Sequence, residues 1–117
     1  MHNYKNLKIW KDAATFAVEI YKITQDFPKE EVYGLTNQLR RASVSISSNI
    51  AEGSKRTTKK DFNSFLAIAH GSGAEVESQL FISRELGYIS AKEYEQITQR
   101  LDSIMKMVAA FSKSLTG

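Results

Sequence analysis

The sequence contains no cysteine, a single proline and six glycines in 117 residues. Lack of cysteine excludes disulfides, thiolate metal sites and a cysteine nucleophile together, and fits a reducing compartment. Few prolines and glycines leave few places where a helix must stop. No run of β-branched and aromatic residues alternates with period two between turn signals, so strands are not expected. No apolar stretch approaches the roughly 20 residues of a membrane helix. The first ten residues carry Lys5 and Lys8 without an apolar run behind them, unlike a secretory signal. A cytoplasmic protein with no membrane role is expected.

What is present is an ordinary globular composition, 42% hydrophobic and 25% charged, sufficient for one domain over residues 1–117 with one core. The apolar residues recur at intervals of three and four. Residues 7–26 place Ile9, Ala13, Phe16, Ile20 and Ile23 on one side, widened by Trp10, Ala17 and Tyr21, and stop at Phe27-Pro28 because the residue before proline is pushed out of the α region. Residues 34–52 align Leu35, Leu39, Ala42, Ile46 and Ile50, with Gly53 suited to the left-handed position after a helix end.

A third segment, 58–86, starts from Thr58 as N-cap with Asp61 in its first turn and aligns Phe62, Phe65, Leu66, Ala69, Gly73, Val76 and Leu80 before Gly87 closes it. Gly71 and Gly73 each cost up to about 1 kcal/mol in a helix interior, which predicts close backbone approach by a neighbour. The fourth opens with Ser90 and Glu93 as a capping box and continues through Ile97, Leu101, Ile104, Val108, Phe111 and Leu115 in a regular heptad. Four long helices joined by short turns predict an all-α, antiparallel up-down-up-down four-helix bundle.

Charge is absent from residues 42–51 and again from 62–74. Val44, Ser48 and Ala51 fall opposite the second stripe, so the outward surface is small and weakly polar. A helix neutral all round is usually covered on both sides, and these three residues are the expected subunit contacts. The polar line Gln38, Arg41, Ser45, Ser48, Asn49 and Glu52 suits hydrogen bonding between helices, subunit contact or ligand binding.

Enzymatic chemistry is hard to assemble. A di-iron bundle needs Glu-x-x-His pairs, but Ala67 stands three before His70 and His2 lies too near the start. Ser72, His70 and Glu75 hold the residue types of a triad, yet neighbouring positions on one helix cannot aim them as nucleophile, base and orienter. Gly71-Ser72-Gly73 lacks the strand that precedes a phosphate loop. No catalytic residue, metal or cofactor is expected.

The net charge of +3 is unevenly spread: 0 over residues 1–34, +5 over 35–60, −3 over 61–88 and +1 over 89–117. Arg40 and Arg41 lie early in the second helix, while Lys55, Arg56, Lys59 and Lys60 surround the turn after it, about 20 Å away along the helix. These six are the candidate nucleic-acid contacts, with a solubilising turn as the competing reading.

The stretches Asp26-Phe27-Pro28-Lys29-Glu30-Glu31-Val32-Tyr33-Gly34-Leu35, Gln38-Leu39-Arg40-Arg41-Ala42 and Ser48-Asn49-Ile50-Ala51-Glu52-Gly53, followed by Phe65-Leu66-Ala67-Ile68-Ala69, Gly71-Ser72 and Leu86-Gly87-Tyr88, resemble the four-helix proteins of the 23S ribosomal RNA intervening-sequence family. The resemblance covers nearly the whole chain. It implies a ring-like homopentamer and no catalytic residues. Similar bundles are accessory proteins of diversity-generating retroelements, where a basic pentamer engages reverse transcriptase and nucleic acid. The leading expectation is therefore a non-enzymatic homo-oligomer that binds RNA or a nucleoprotein; the alternative is a protein-interaction scaffold with no nucleic-acid role.

Overall fold

The four apolar stripes fold as four helices in the computed structural model, which describes residues 3–116. They are α1 (Lys8–Thr24), α2 (Leu35–Ser54), α3 (Lys59–Glu85) and α4 (Ala91–Thr116), with short 3-10 turns at Tyr4–Asn6 and Lys29–Glu31. The bundle measures 43 × 24 × 20 Å. Its four stripes meet in one continuous apolar cluster, in which Phe16, Ile20, Leu39, Ile46, Ile50, Leu66, Leu80 and Leu101 are almost fully buried. Burying each such side chain contributes on the order of 1.5–3 kcal/mol. The surface pairs Lys8–Asp12 and Lys106–Asp102 contribute roughly 0–1 kcal/mol each, so burial decides the fold.

Side-chain contacts fix the direction of every helix. Ser45 bonds Ser72 at 2.9 Å, Phe62 packs on Phe111 with ring centroids 5.3 Å apart, Arg40 reaches the last turn of α1, and Arg100 pairs with Glu19. Arg40 and Phe62–Phe111 join the start of one helix to the end of its neighbour, as does Gly53 against Phe62 and Phe65 between α2 and α3, and the residues of α1 meet those of α4 in reverse order, so all four pairs are antiparallel. The pairing of α2 with α3 is the most extensive and that of α1 with α4 the slightest.

The helix ends follow local chemistry. Thr58 Oγ1 accepts from Asp61 N at 3.1 Å, and Ser90 and Glu93 complete their reciprocal box at 2.9 and 3.0 Å. At the end of α3, Gly87 N donates to Arg84 O and Tyr88 N to Ser83 O, both at 2.9 Å. This closure puts Gly87 at φ +80°, the left-handed conformation glycine adopts without a steric penalty. Helix α1 ends at Thr24, two residues before the expected boundary, where Phe27 N turns back to Thr24 O.

Three expectations are corrected. Gly53 is not in the left-handed region: it lies inside α2, buried, where an added Cβ would stand 2.7 Å from Phe65 Cβ and 2.9 Å from Phe62 Cδ1. Its role is to let α3 approach. At Gly73 the close neighbour is a side chain, that of Met105 from α4, whereas Gly71 faces open space. The inward stripes are also narrower than their sequence pattern, with Phe65 and Ile23 half-buried and Tyr21 exposed.

Candidate nucleic-acid interface

The turn between α2 and α3 is short because α2 runs on to Ser54 and Thr58 already caps α3. Four cations are thereby held within six residues. Arg56 pairs with Glu52 at 3.0 Å and lies over the Phe65 ring at 4.5 Å from its centroid; Lys55 lies 5.8 Å from the Tyr4 ring centroid. Lys59 and Lys60 are exposed, and among the described residues neither has an ion-pair partner within 4.0 Å.

The other two candidates part company. Arg40 is half-buried and committed to α1: its Nε donates to Thr24 Oγ1 at 2.9 Å, its Nη2 to Tyr21 O at 3.2 Å, and its guanidinium stacks 4.6 Å from the Tyr21 centroid. These contacts occupy the helix-terminal carbonyl end of α1, where a cation is favoured. Arg41 is exposed and opens instead on a cleft of about 380 Å³ between α2 and α3, lined also by Gln38, Ser45, Ser72, Glu75 and Gln79. The structure therefore brings together Lys55, Arg56, Lys59 and Lys60, with Arg41 14 residues back along α2, roughly 21 Å away.

Cations of both terminal segments lie at this same end, a juxtaposition that spacing along the sequence does not show. Tyr4 lies beneath Lys55, so Lys5 and Lys8 start beside the turn; Ser112 Oγ donates to Asn63 Oδ1 at 2.7 Å, which sets Lys113 beside the start of α3. The topology was the available signal: an even number of antiparallel helices returns both termini to the end that holds the middle turn.

Of the polar line on α2, Ser45 bonds Ser72, Asn49 Nδ2 donates to Ser45 O at 2.8 Å, and Glu52 holds Arg56. The cleft's Gln79 buries its Oε1 without a partner among the described residues. Val44 and Ser48 are exposed and Ala51 half-buried. Exposed apolar side chains include Val18 and Tyr21 of α1, Val44 of α2, Ile68 and Ile82 of α3 and Leu86 at the α3 cap; Ile68 is 53% exposed. His70 is exposed, His2 lies outside the described residues, and no three metal-ligating side chains converge among the described ones.

Residues 5–110 match the family model described as 23S rRNA-intervening sequence protein. The chain belongs to that family. This intervening-sequence protein is also similar to a solved structure, a protein of unknown function from the S23 ribosomal protein family of Bacteroides thetaiotaomicron. The two share 27% identity at a TM-score of 0.80, over 90% of this chain and 98% of that one. No curated protein matches it.

Proposed function

We propose that this intervening-sequence protein is a non-enzymatic, self-associating bundle that binds structured RNA, free or within a nucleoprotein, through the turn between α2 and α3. The observation that carries the reading is the pair Lys59 and Lys60, exposed and without carboxylate partners among the described residues, next to Lys55 and Arg56. Cations in that state neutralise phosphates and release counterions, a gain that falls steeply with salt. Arg40 and Arg41 are both withdrawn from the contact set, Arg40 because α1 already occupies its guanidinium and Arg41 because it opens on the α2–α3 cleft, roughly 21 Å along α2 from the turn.

Self-association is supported by two sets of exposed apolar side chains, Val18, Tyr21 and Val44 on α1 and α2 and Ile68, Ile82 and Leu86 spaced along α3 and its cap. Unlike surfaces join head to tail, the geometry that closes rings, and the family resemblance gives five as the subunit number to test. The same faces favour a second reading, a protein scaffold with no RNA partner.

Fluorescence anisotropy with a labelled structured RNA, titrated with salt, decides between them. Binding at low salt that weakens when Lys55, Arg56, Lys59 and Lys60 are changed to Gln supports RNA recognition. Absence of binding at low salt, with an oligomer intact by light scattering, leaves the scaffold. A monomer at tens of micromolar overturns self-association.

A further inference from the structure

Charge in this protein is sorted along the bundle axis. The Ser45–Ser72 bond and the shared cleft of Phe16 and Ile104 mark the middle. The half containing the α2–α3 turn comprises residues 3–15, 45–71 and 104–116, with nine basic and three acidic side chains; the half comprising 16–44 and 72–103 has seven basic and ten acidic. One half carries +6 and the other −3. Folding makes this polarity: residues 1–34 sum to zero, yet Lys5, Lys8 and Lys11 go to one end while Asp26, Glu30 and Glu31 go to the other. Helix dipoles do not produce it, since two N-termini and two C-termini meet at each end and offset one another.

We infer that the polyanion site is the whole end of the bundle, completed by Lys5, Lys8 and Lys113, and that its partner is the backbone of a double helix. This rests on the RNA-binding reading above. The cations come from both chain termini and the middle turn: Lys55 over Tyr4, Lys60 in a groove shared with Leu115 and Thr116, and Lys113 next to the Ser112–Asn63 bond. They are spread over one end of a bundle whose two short dimensions are 24 and 20 Å. That breadth exceeds the groove widths of B-form DNA, about 12 and 6 Å, so two phosphate rows can lie across it. A single strand is usually read by a basic groove with exposed aromatic platforms on which bases stack. Here Tyr4 is edge-on to Trp10 at 5.0 Å and beneath Lys55, Phe62 is buried, and Phe65 is covered by Arg56. The end offers charge and breadth without a stacking surface.

The test is a salt titration of the full chain against three probes of equal length: an RNA duplex, a DNA duplex and a single-stranded RNA. The expected result is tighter binding of a duplex than of the single strand, with Lys5→Gln and Lys113→Gln together lowering the slope of log K against log salt by about 2, near 0.9 for each phosphate no longer neutralised. Arg41→Gln, toward the other half, leaves the slope unchanged. These substitutions are on exposed side chains, and circular dichroism verifies the fold of each variant. Preference for either duplex supports the inference, because both present paired phosphate rows. A single strand bound more tightly overturns it, as does a slope moved by Arg41→Gln but not by the terminal pair. No binding of any probe at low salt instead overturns the RNA-binding reading itself.

Discussion

At the scale of single residues, three glycines of the same two helices have different reasons to be there. A Cβ at Gly53 meets the Cβ of Phe65 and the ring of Phe62, neither of which can swing aside without moving α3. Gly53→Ala is expected to cost about 1–3 kcal/mol by overpacking. Gly71 faces open space in the middle of α3, so Gly71→Ala is expected to stabilise by up to about 1 kcal/mol through helix propensity. At Gly73 the obstacle is the flexible end of Met105, and the gain and the clash oppose each other. Urea unfolding of the three variants should rank Gly71→Ala most stable and Gly53→Ala least.

Arg40 shows the same dependence on surroundings. In the sequence it is one of two adjacent arginines in a basic segment; in the structure it donates two hydrogen bonds to the end of α1 and stacks on Tyr21. Arg40→Ala should lower stability by about 1.5–3 kcal/mol, the range for hydrogen bonds from a charged group. Arg40→Lys should not restore it, since an ammonium lacks the planar fork. RNA affinity measured on the folded fraction should be unchanged, which separates Arg40 from the turn cations.

Among elements, the helices were legible and their terminations only in part. The stripes of α2 and α4 were readable because their apolar positions recur at strict helical intervals, and Thr58 and Ser90 because their caps depend on residues three apart. Gly53 was misread because a glycine required by a neighbouring helix and one required by backbone conformation are the same letter. Arg40's role was not legible because its partners lie 16 and 19 residues away on another helix. The loops hold a further long-range tie: Tyr88 Oη donates to Glu31 Oε2 at 2.9 Å, and its ring packs 5.2 Å from that of Phe27, joining the α1–α2 and α3–α4 connections.

That tie makes a pH prediction. The hydrogen bond to Glu31, then burial, then the charges of Glu31 and Glu30 raise the Tyr88 pKa above its ordinary 10.0. The folded value exceeds the unfolded one, so the stabilisation is fully present below about pH 10 and is lost as pH rises through the folded value. Wild-type protein should lose stability above pH 10 in urea titrations more steeply than Tyr88→Phe. Equal slopes for the two would refute the linkage.

For the molecule as a whole, the candidate site was half legible. Lys55, Arg56, Lys59 and Lys60 stand together in the sequence as they do in space. Lys5, Lys8 and Lys113 join them only through topology, and the cleft residues Ser72, Glu75 and Gln79 meet Gln38, Arg41 and Ser45 only when α3 packs on α2. The exposed apolar side chains carry a prediction of the same scale. A charge at the exposed Ile68 or Val44 should leave the isolated bundle folded but reduce the mass seen by light scattering. Ile68→Glu and Val44→Glu that both retain the wild-type assembly would place the subunit contacts elsewhere.

The return of residues 3 and 116 toward a single end has a practical consequence for anyone handling the protein. A purification tag or fusion partner attached next to residue 3 or 116 emerges over the basic face, where an acidic tag competes with a polyanion and a polyhistidine tag can add affinity of its own. Binding experiments therefore need the tag removed. The opposite end, with Lys29–Glu31 and the Gly87 turn, is the better location for a fluorophore or surface tether.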